Sequence, residues 1–295
     1  MKDCELLIIG AGAAGLTAAR TAAESGCHQV VLVDSKAKPG GVLLQCAHQG
    51  FGQGLTGPQY IEQLLRDFPK QVELQCATTA LSISKNKVAV LSGAKTGLQR
   101  LRFQELIFAA GCREIPAGAL QLAGTRPEGV YTAGQVQEMM NLQYRVPEGP
   151  AVILGSGDLG LIMAGQLSAS GCQINALVEQ REKCEGMPRN QLHLERYALP
   201  LLCNSTVSRV YGERKLAGVV VHNLQSGKED FIPCRTLLIA VGYTPERTLI
   251  QELGVPEWLQ LCGNCKAVHS MIEGVIQEGK TAGARAWRNI RSGVC

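Results

Sequence analysis

A glycine fingerprint occurs twice in this chain, 145 residues apart, and nothing else in the sequence constrains the fold as tightly. The first copy is Gly10-Ala11-Gly12-Ala13-Ala14-Gly15, behind the apolar run Leu6-Leu7-Ile8-Ile9; the second is Gly155-Ser156-Gly157-Asp158-Leu159-Gly160, behind Ala151-Val152-Ile153-Leu154. Each is followed, 19 positions after its third glycine, by an acid closing another apolar stretch: Asp34 and Glu179. A single such motif is weak, because glycine-rich strand–helix turns also occur without ligands. Two copies, each between a strand and a helix and each with an acid at the same distance, predict two dinucleotide-binding units.

The spacing has a physical logic. The first glycine permits the tight turn, the second lets backbone approach a pyrophosphate, and the third lets the helix pack closely on the strand. Phosphates then sit on unpaired N–H groups at the positive end of the helix, and the acid accepts hydrogen bonds from ribose hydroxyls.

The 295 residues suffice for two domains, each with its own core. A net charge of +4, without clusters, gives no reason to invoke nucleic acid or an acidic membrane surface, and 4% aromatic residues argue against base stacking. The stretch from Leu6 to Ala19 is apolar enough to resemble a signal peptide. However, Asp3 and Glu5 stand where a basic start belongs, and its glycines fall in fingerprint register. No run reaches the roughly 18 apolar residues of a membrane span. The expectation is a soluble, cytoplasmic protein.

Apolar periodicity predicts strands at 5–9 and 29–33 around a helix at 13–25, then a Pro39-Gly40-Gly41 turn, a helix at 57–68 and β-rich sequence as far as Gly111. The second unit repeats the scheme: fingerprint, helix at 159–170, strand at 173–178, more β, and Leu237 to Gly242. The endings Phe108-Ala109-Ala110-Gly111 and Ile239-Ala240-Val241-Gly242 match in kind. The region 266–287 reads as one helix after Cys262-Gly263-Asn264, returning to complete the first unit. The expected fold is therefore α/β, with two Rossmann-like three-layer ββα domains. The first spans 1–117 and 251–295, and the second, 118–250, is inserted into it.

These motifs resemble the flavoproteins with two dinucleotide-binding domains, the pyridine nucleotide-disulfide oxidoreductase superfamily. Gly40-Gly41-Val42 continuing through Gln45-Cys46-Ala47-His48 to Phe51, Ala110-Gly111-Cys112-Arg113-Glu114, Gly129 to Gly134, and Cys262-Gly263-Asn264 narrow the resemblance. They are similar to subunits associated with anaerobic-type glycerol-3-phosphate dehydrogenase and with sarcosine, opine and cyanide-forming amine oxidases. The resemblance implies FAD on the first fingerprint and NAD(H) on the second. Gly10, Gly12, Ala13, Ala14 and Gly15 would hold the FAD pyrophosphate, and Asp34, with Ser35 beside it, the adenosine ribose. Gly40, Gly41 and Val42 would lie against the isoalloxazine. Gly263 and Asn264 would meet the ribityl chain, and the following helix would point its N-terminus at the flavin. Ala80, Ala110, Gly111 and Gly242 are further cofactor-binding candidates. Gly155, Gly157, Asp158, Leu159 and Gly160 would hold the nicotinamide cofactor. Glu179 would favour a free 2′-hydroxyl and hence NADH, with Arg181 and Lys183 leaving NADP(H) open. Only 19 residues separate Gly242 from Cys262, where relatives carry a longer segment with an added strand.

Hydride transfer between a nicotinamide and a flavin needs alignment more than acid–base groups, so no triad is expected. Neither redox disulfide of the superfamily is present. Thr132-Ala133-Gly134-Gln135 stands in place of one CxxC, and Cys46 alone lies between Leu43 and His48. The catalytic candidates are Cys46 and His48 after the Gly-Gly turn, and Cys262 with Cys265, a CxxC that is either a redox pair or ordinary packing. The other cysteines, at 4, 27, 76, 112, 172, 184, 203, 234 and 295, are scattered, as expected of reduced thiols, and no metal-ligand spacing is visible. Arg113 would contact a cofactor phosphate or pair with a carboxylate such as Glu114. The function expected is an oxidoreductase passing electrons between NAD(P)H and a partner dehydrogenase subunit or electron-transfer protein through FAD. The alternatives are a stand-alone disulfide or quinone reductase using Cys262 and Cys265, and a nucleotide-binding scaffold subunit without turnover.

Overall fold

The computed structural model describes residues 1–293; Val294 and Cys295, the last of the cysteines above, lie outside the described residues. The chain divides into two compact units. One is built from Met1–Arg113 together with the chain from Thr244 onward, the other from Glu114–Tyr243.

In the first unit, β1 (Lys2–Ile9), β2 (Val30–Val33), β3 (Val72–Gln75), β4 (Thr78–Ile83), β5 (Val88–Gly93) and β6 (Gly97–Phe108) share one sheet in the order β3-β2-β1-β6-β5-β4. The twelve-residue β6 serves two layers. Residues 101–108 run parallel to β1, while 97–102 pair antiparallel with β5, which pairs in turn with β4. Alternation in β1 sorts the core. Leu6 and Ile8 face α1 (Ala13–Glu24), and Leu7 and Ile9 face the β4–β5 side with Leu91, Leu101 and Phe103. Such two-sided burial is why the central strand reads as an unbroken apolar run. A second helix, α2 (Gly57–Leu65), is started by a capping box between Thr56 and Gln59 with Pro58 in its first turn.

The second unit repeats this design. Here β7 (Val130–Thr132), β8 (Ala151–Leu154), β9 (Ile174–Val178), β10 (Leu201–Leu202) and β13 (Thr236–Ile239) form a parallel sheet in the order β7-β13-β8-β9-β10. One face packs on α3 (Ala133–Asn141) and α4 (Asp158–Ala169). The other packs on an antiparallel sheet that includes β11 (Ser205–Gly212) and β12 (Leu216–Asn223). A short helix, α5 (Pro188–Arg196), lies against α4. Both units are thus the three-layer α/β domains that the sequence predicts.

The chain then returns to the first unit. Its strand β14 (Leu259–Leu261) pairs parallel with the end of β6, so the short segment before Cys262 still delivers a strand. The helix expected from residue 266 begins later. A 3-10 turn covers Gly263–Cys265, and α6 runs over Ile272–Ser292. The side-chain oxygen of Asn264 accepts the His269 N–H at 3.0 Å, which holds the intervening residues in a turn and delays the helix. Along α6, Gly279 and Gly283 let the helix approach α1 so closely that a Cβ at either would press on the carbonyl oxygen of Ala14 or Ala18.

Candidate functional site

Each fingerprint closes into the same shape. In the first, the Gly10 N–H donates to Val33 O and the Ala109 N–H to Ile9 O, both at 2.8 Å; in the second, Gly155 donates to Val178 O and Ala240 to Leu154 O, again at 2.8 Å. Gly10 and Gly155 have φ of +103° and +105°, and a Cβ on either would strike the carbonyl oxygen of Ala109 or Ala240. A Cβ on Gly15 or Gly160 would strike the carbonyl oxygen of Gly10 or Gly155, which is the close helix–strand approach. The middle glycines differ. A Cβ on Gly12 or Gly157 would meet nothing within 4 Å. Each caps its helix with no side-chain hydrogen bond, and the first intrahelical bonds are Leu16 N–H to Gly12 O and Leu161 N–H to Gly157 O. Beside each middle glycine there is thus open space at the N-terminus of a helix, whose first-turn N–H groups have no intrahelical partner and could hold a pyrophosphate.

The acids tie these loops down. Asp34 accepts from the backbone N–H of Ala11 at 2.7 Å and of Lys36 at 2.8 Å. Glu179 is buried and accepts from the Ser156 N–H (2.9 Å), the Ser156 hydroxyl (2.7 Å) and the Arg181 N–H (2.9 Å). Burial pushes the Glu179 carboxyl up, but these hydrogen bonds and the Arg181 charge outweigh it and hold it below the ordinary carboxylate range.

In the first unit the Gly-Gly turn joins the cradle. The Gly40 N–H donates to Ala11 O at 2.7 Å, and Gly41, with φ of +57°, lies against Gly12. Val42 follows, largely exposed. Gly263, with φ of +70°, sits so close to the first turn of α1 that a Cβ would come 2.7 Å from that of Ala14. The first fingerprint, Asp34, Gly40, Gly41, Gly263 and Asn264 are thus brought together. Ser35 follows Asp34 at an exposed position, and Ala110 and Gly111 extend from the end of β6. Ala80 lies on β4, packed toward the second core face. In the second unit Gly242 has φ of +132°, with its carbonyl taken by the Ile115 N–H at 3.1 Å.

The second cradle carries a strap that the motif does not announce. Asp158 accepts from the Met187 N–H and from the Asn190 side chain, both at 2.7 Å, and Ser156 accepts from the Gly186 N–H at 2.9 Å on its carbonyl and from the Glu185 N–H at 3.2 Å on its hydroxyl. The only hint in the sequence is that Ser156 and Asp158 stand where the first fingerprint has Ala11 and Ala13. Leu159 packs beside the core of this unit. Arg181 pairs with Glu185. Arg113 lies 3.6 Å from Glu246, not beside Glu114, whose carboxylate accepts the Gly134 N–H at 2.7 Å.

The cysteine candidates are all buried. Cys262 packs in the core between β1 and α1, whereas Cys265 packs in the core on the opposite face of the same sheet, donating to Phe108 O at 2.9 Å. Burial pushes both thiols up, contrary to a thiolate stabilised at a helix mouth. Both members of the CxxC are thus buried thiols lodged among apolar side chains. Cys46 is likewise buried, its thiol pushed up to about 12, and it donates to Val42 O at 3.4 Å. His48 is half-buried against Phe51, with ring centroids 5.2 Å apart. Among the described residues there is no disulfide, no group of three or more His, Cys, Asp or Glu side chains that could hold a metal, and no helix long and apolar enough to cross a membrane.

Comparison with known proteins matches this geometry. The family described as pyridine nucleotide-disulphide oxidoreductase matches residues 4–259. The chain is similar to hydrogen cyanide synthase subunit HcnB of Pseudomonas protegens, at 25% identity over 84% of this chain and 58% of that subunit. It is similar to sarcosine oxidase subunit alpha of Rhizobium meliloti, at 28% identity over 82% of this chain and 24% of that subunit. Thioredoxin reductase of Mycolicibacterium smegmatis shares 23% identity over 93% of this chain and 87% of that enzyme. The chain therefore spans under three-fifths of the length of the hydrogen cyanide synthase and sarcosine oxidase subunits and most of the length of the reductase. Among solved structures, thioredoxin reductase of T. acidophilum superposes with a TM-score of 0.79 at 18% identity, covering 98% of this chain and 99% of that one, a likeness of fold. Two matched cradles in duplicated three-layer units, and a family pattern running from residue 4 to residue 259, have one reading: the chain belongs to the pyridine nucleotide-disulphide oxidoreductase family of FAD- and NAD(P)H-dependent oxidoreductases.

Proposed function

We propose that the first cradle holds FAD and the second NAD(H), and that the chain passes electrons between them and a partner dehydrogenase or oxidase subunit. The observation that carries the last step is the separation of Cys262 and Cys265 onto opposite faces of one sheet. That placement gives the first unit no dithiol from this pair, and Cys46 is buried with a strongly raised pKa. Reducing equivalents that arrive from a nicotinamide then need an exit to another molecule. The names of two relatives, a hydrogen cyanide synthase subunit and a sarcosine oxidase subunit, support an exit to a second subunit.

Bound FAD would supply the hydride and electron chemistry. The protein's part is binding and orientation. The first turn of α1 would offer N–H groups to the pyrophosphate, Gly41 would let backbone approach the ring system, and Asn264 would meet the ribityl chain. In the second unit the α4 terminus offers the same N–H groups, and Glu179, held ionised by Ser156 and Arg181, disfavours a 2′-phosphate and selects NADH.

The test is an anaerobic absorbance spectrum followed by titration with NADH and NADPH. A flavin band near ~450 nm that bleaches with NADH, together with slow reduction of disulfide substrates by the isolated chain, is the expected result. Rapid turnover of a disulfide substrate would replace this reading with that of a stand-alone reductase.

A further inference from the structure

The turn that carries Asn264 is held from α6 by one carboxylate. Glu278 lies in the second turn of α6, yet its side chain reaches back beyond the start of the helix. Its Oε2 accepts the Gly263 N–H at 2.8 Å and lies 3.3 Å from His269 Nε2, while its Oε1 accepts from Lys266 Nζ at 2.8 Å. The turn is gripped from other sides as well. Arg247 Nε donates to Cys265 O at 2.6 Å, and the Asn264 carboxamide accepts the His269 N–H. Gly263 itself rests on Ala14, in the first turn of the fingerprint helix. One charged side chain therefore fixes the residue immediately before Asn264 and reaches two side chains that follow it, those of Lys266 and His269.

We propose that Glu278 is a positioning residue for FAD: by holding the Gly263 N–H it sets the turn that presents Asn264 to the flavin before the cofactor arrives. This rests on the reading that FAD occupies the first cradle. Glu278 does not touch the cofactor in this account; it acts through Gly263 and Asn264. Its ionised state is secured locally. Burial pushes its carboxyl up, but Lys266, the Gly263 N–H and His269 outweigh burial and hold it below the ordinary range. A turn fixed in advance spares the ligand the cost of ordering it, which is how a residue out of contact raises affinity.

The experiment compares FAD affinity, by fluorescence titration of the apoprotein, for the parent, Glu278→Gln and Glu278→Ala. Glutamine keeps an oxygen that can accept the Gly263 N–H and is expected to bind FAD within about threefold of the parent. Alanine removes the acceptor and is expected to bind about tenfold or more weakly, with a shifted visible circular dichroism of the bound flavin. Glu278→Ala that folds and binds FAD within twofold of the parent would overturn the proposal while leaving the FAD reading intact. A parent chain that takes up no FAD would overturn both. Should the alanine variant not fold, amide exchange on the parent apoprotein decides the matter: the Gly263 N–H must be protected before FAD is added. Exchange at the rate of an exposed loop amide would refute the proposal.

Discussion

Individual glycines in the fingerprints do different work, and single substitutions separate the roles. Gly12 has ordinary extended φ and open space at its Cβ position, so Gly12→Val should leave the apoprotein's thermal midpoint within a few degrees of the parent. The added side chain fills the cradle, and FAD affinity should fall by at least about tenfold, read by flavin fluorescence. Gly15→Ala should do the reverse, costing about 1–3 kcal/mol of stability by denaturant titration because the Cβ collides with Gly10 O. The Gly157 and Gly160 pair should behave likewise toward NADH. The buried thiols make a separate prediction. Burial pushes Cys4, Cys27, Cys46 and Cys234 up to about 12 from an ordinary 9.0. Between those values an unfolded chain loses thiol protons that the folded chain keeps. Stability should therefore hold below about pH 9 and fall as pH rises toward 12, by at most about 1.4 kcal/mol per pH unit for each thiol. Denaturant midpoints at rising pH, with Cys46→Ala as a variant of shallower slope, check the sign.

At the scale of elements, the sequence was legible wherever one physical cause dominates a short stretch. The parallel strands show as apolar runs because both faces are buried, as in Leu6 to Ile9 and Val30 to Val33. The fingerprint turns show because only glycine survives the backbone approach at Gly10 and Gly15. Interactions between distant residues left no such trace. Glu278, the Asp158 strap and the late start of α6 all depend on side-chain bonds that no periodicity records. Glu105 is the clearest case: it sits fully buried inside an apolar strand and binds Gln260 of β14 at 3.1 Å and Asn289 of α6 at 3.2 Å. Burial pushes its carboxyl above the ordinary range despite both bonds. A folded-state pKa above the unfolded one means that this residue favours the fold at low pH and that its contribution is lost as pH rises through that raised value. Glu105→Gln should therefore show a higher midpoint than the parent at neutral pH, and the gap should close below about pH 4. An unchanged gap across that range would show that the buried charge is not what the amide relieves.

At the scale of the molecule, duplication is what the sequence stated most openly: two fingerprints, two acids at one spacing and two matching strand ends foretold two units of one design. The CxxC shows that spacing in sequence does not say which face of a sheet each thiol meets. Cys262 and Cys265 lie three positions apart across a turn, and they reach opposite cores. Labelling of the folded protein with a thiol reagent should leave both unmodified while accessible cysteines react. The electron-exit proposal also has a consequence for the whole protein. Pull-down from the native source should return a second redox subunit, and NADH-dependent reduction of small acceptors should be faster in that complex than with this chain alone.

The return of the chain to its first unit also bears on the order in which the protein comes into being. The sheet begun by β1 lacks β14, and α1 lacks the covering layer of α6, until everything after Tyr243 has been synthesised. The second unit is one uninterrupted segment and has all of its strands as soon as Tyr243 emerges. Domains fold as units, so folding should run opposite to translation: the part made first waits for its partners, while the part made in the middle closes ahead of it. During that interval the apolar face of α1, with Ala18 and Ala22 at its centre, stays open to any binder of nascent chains that can shield it.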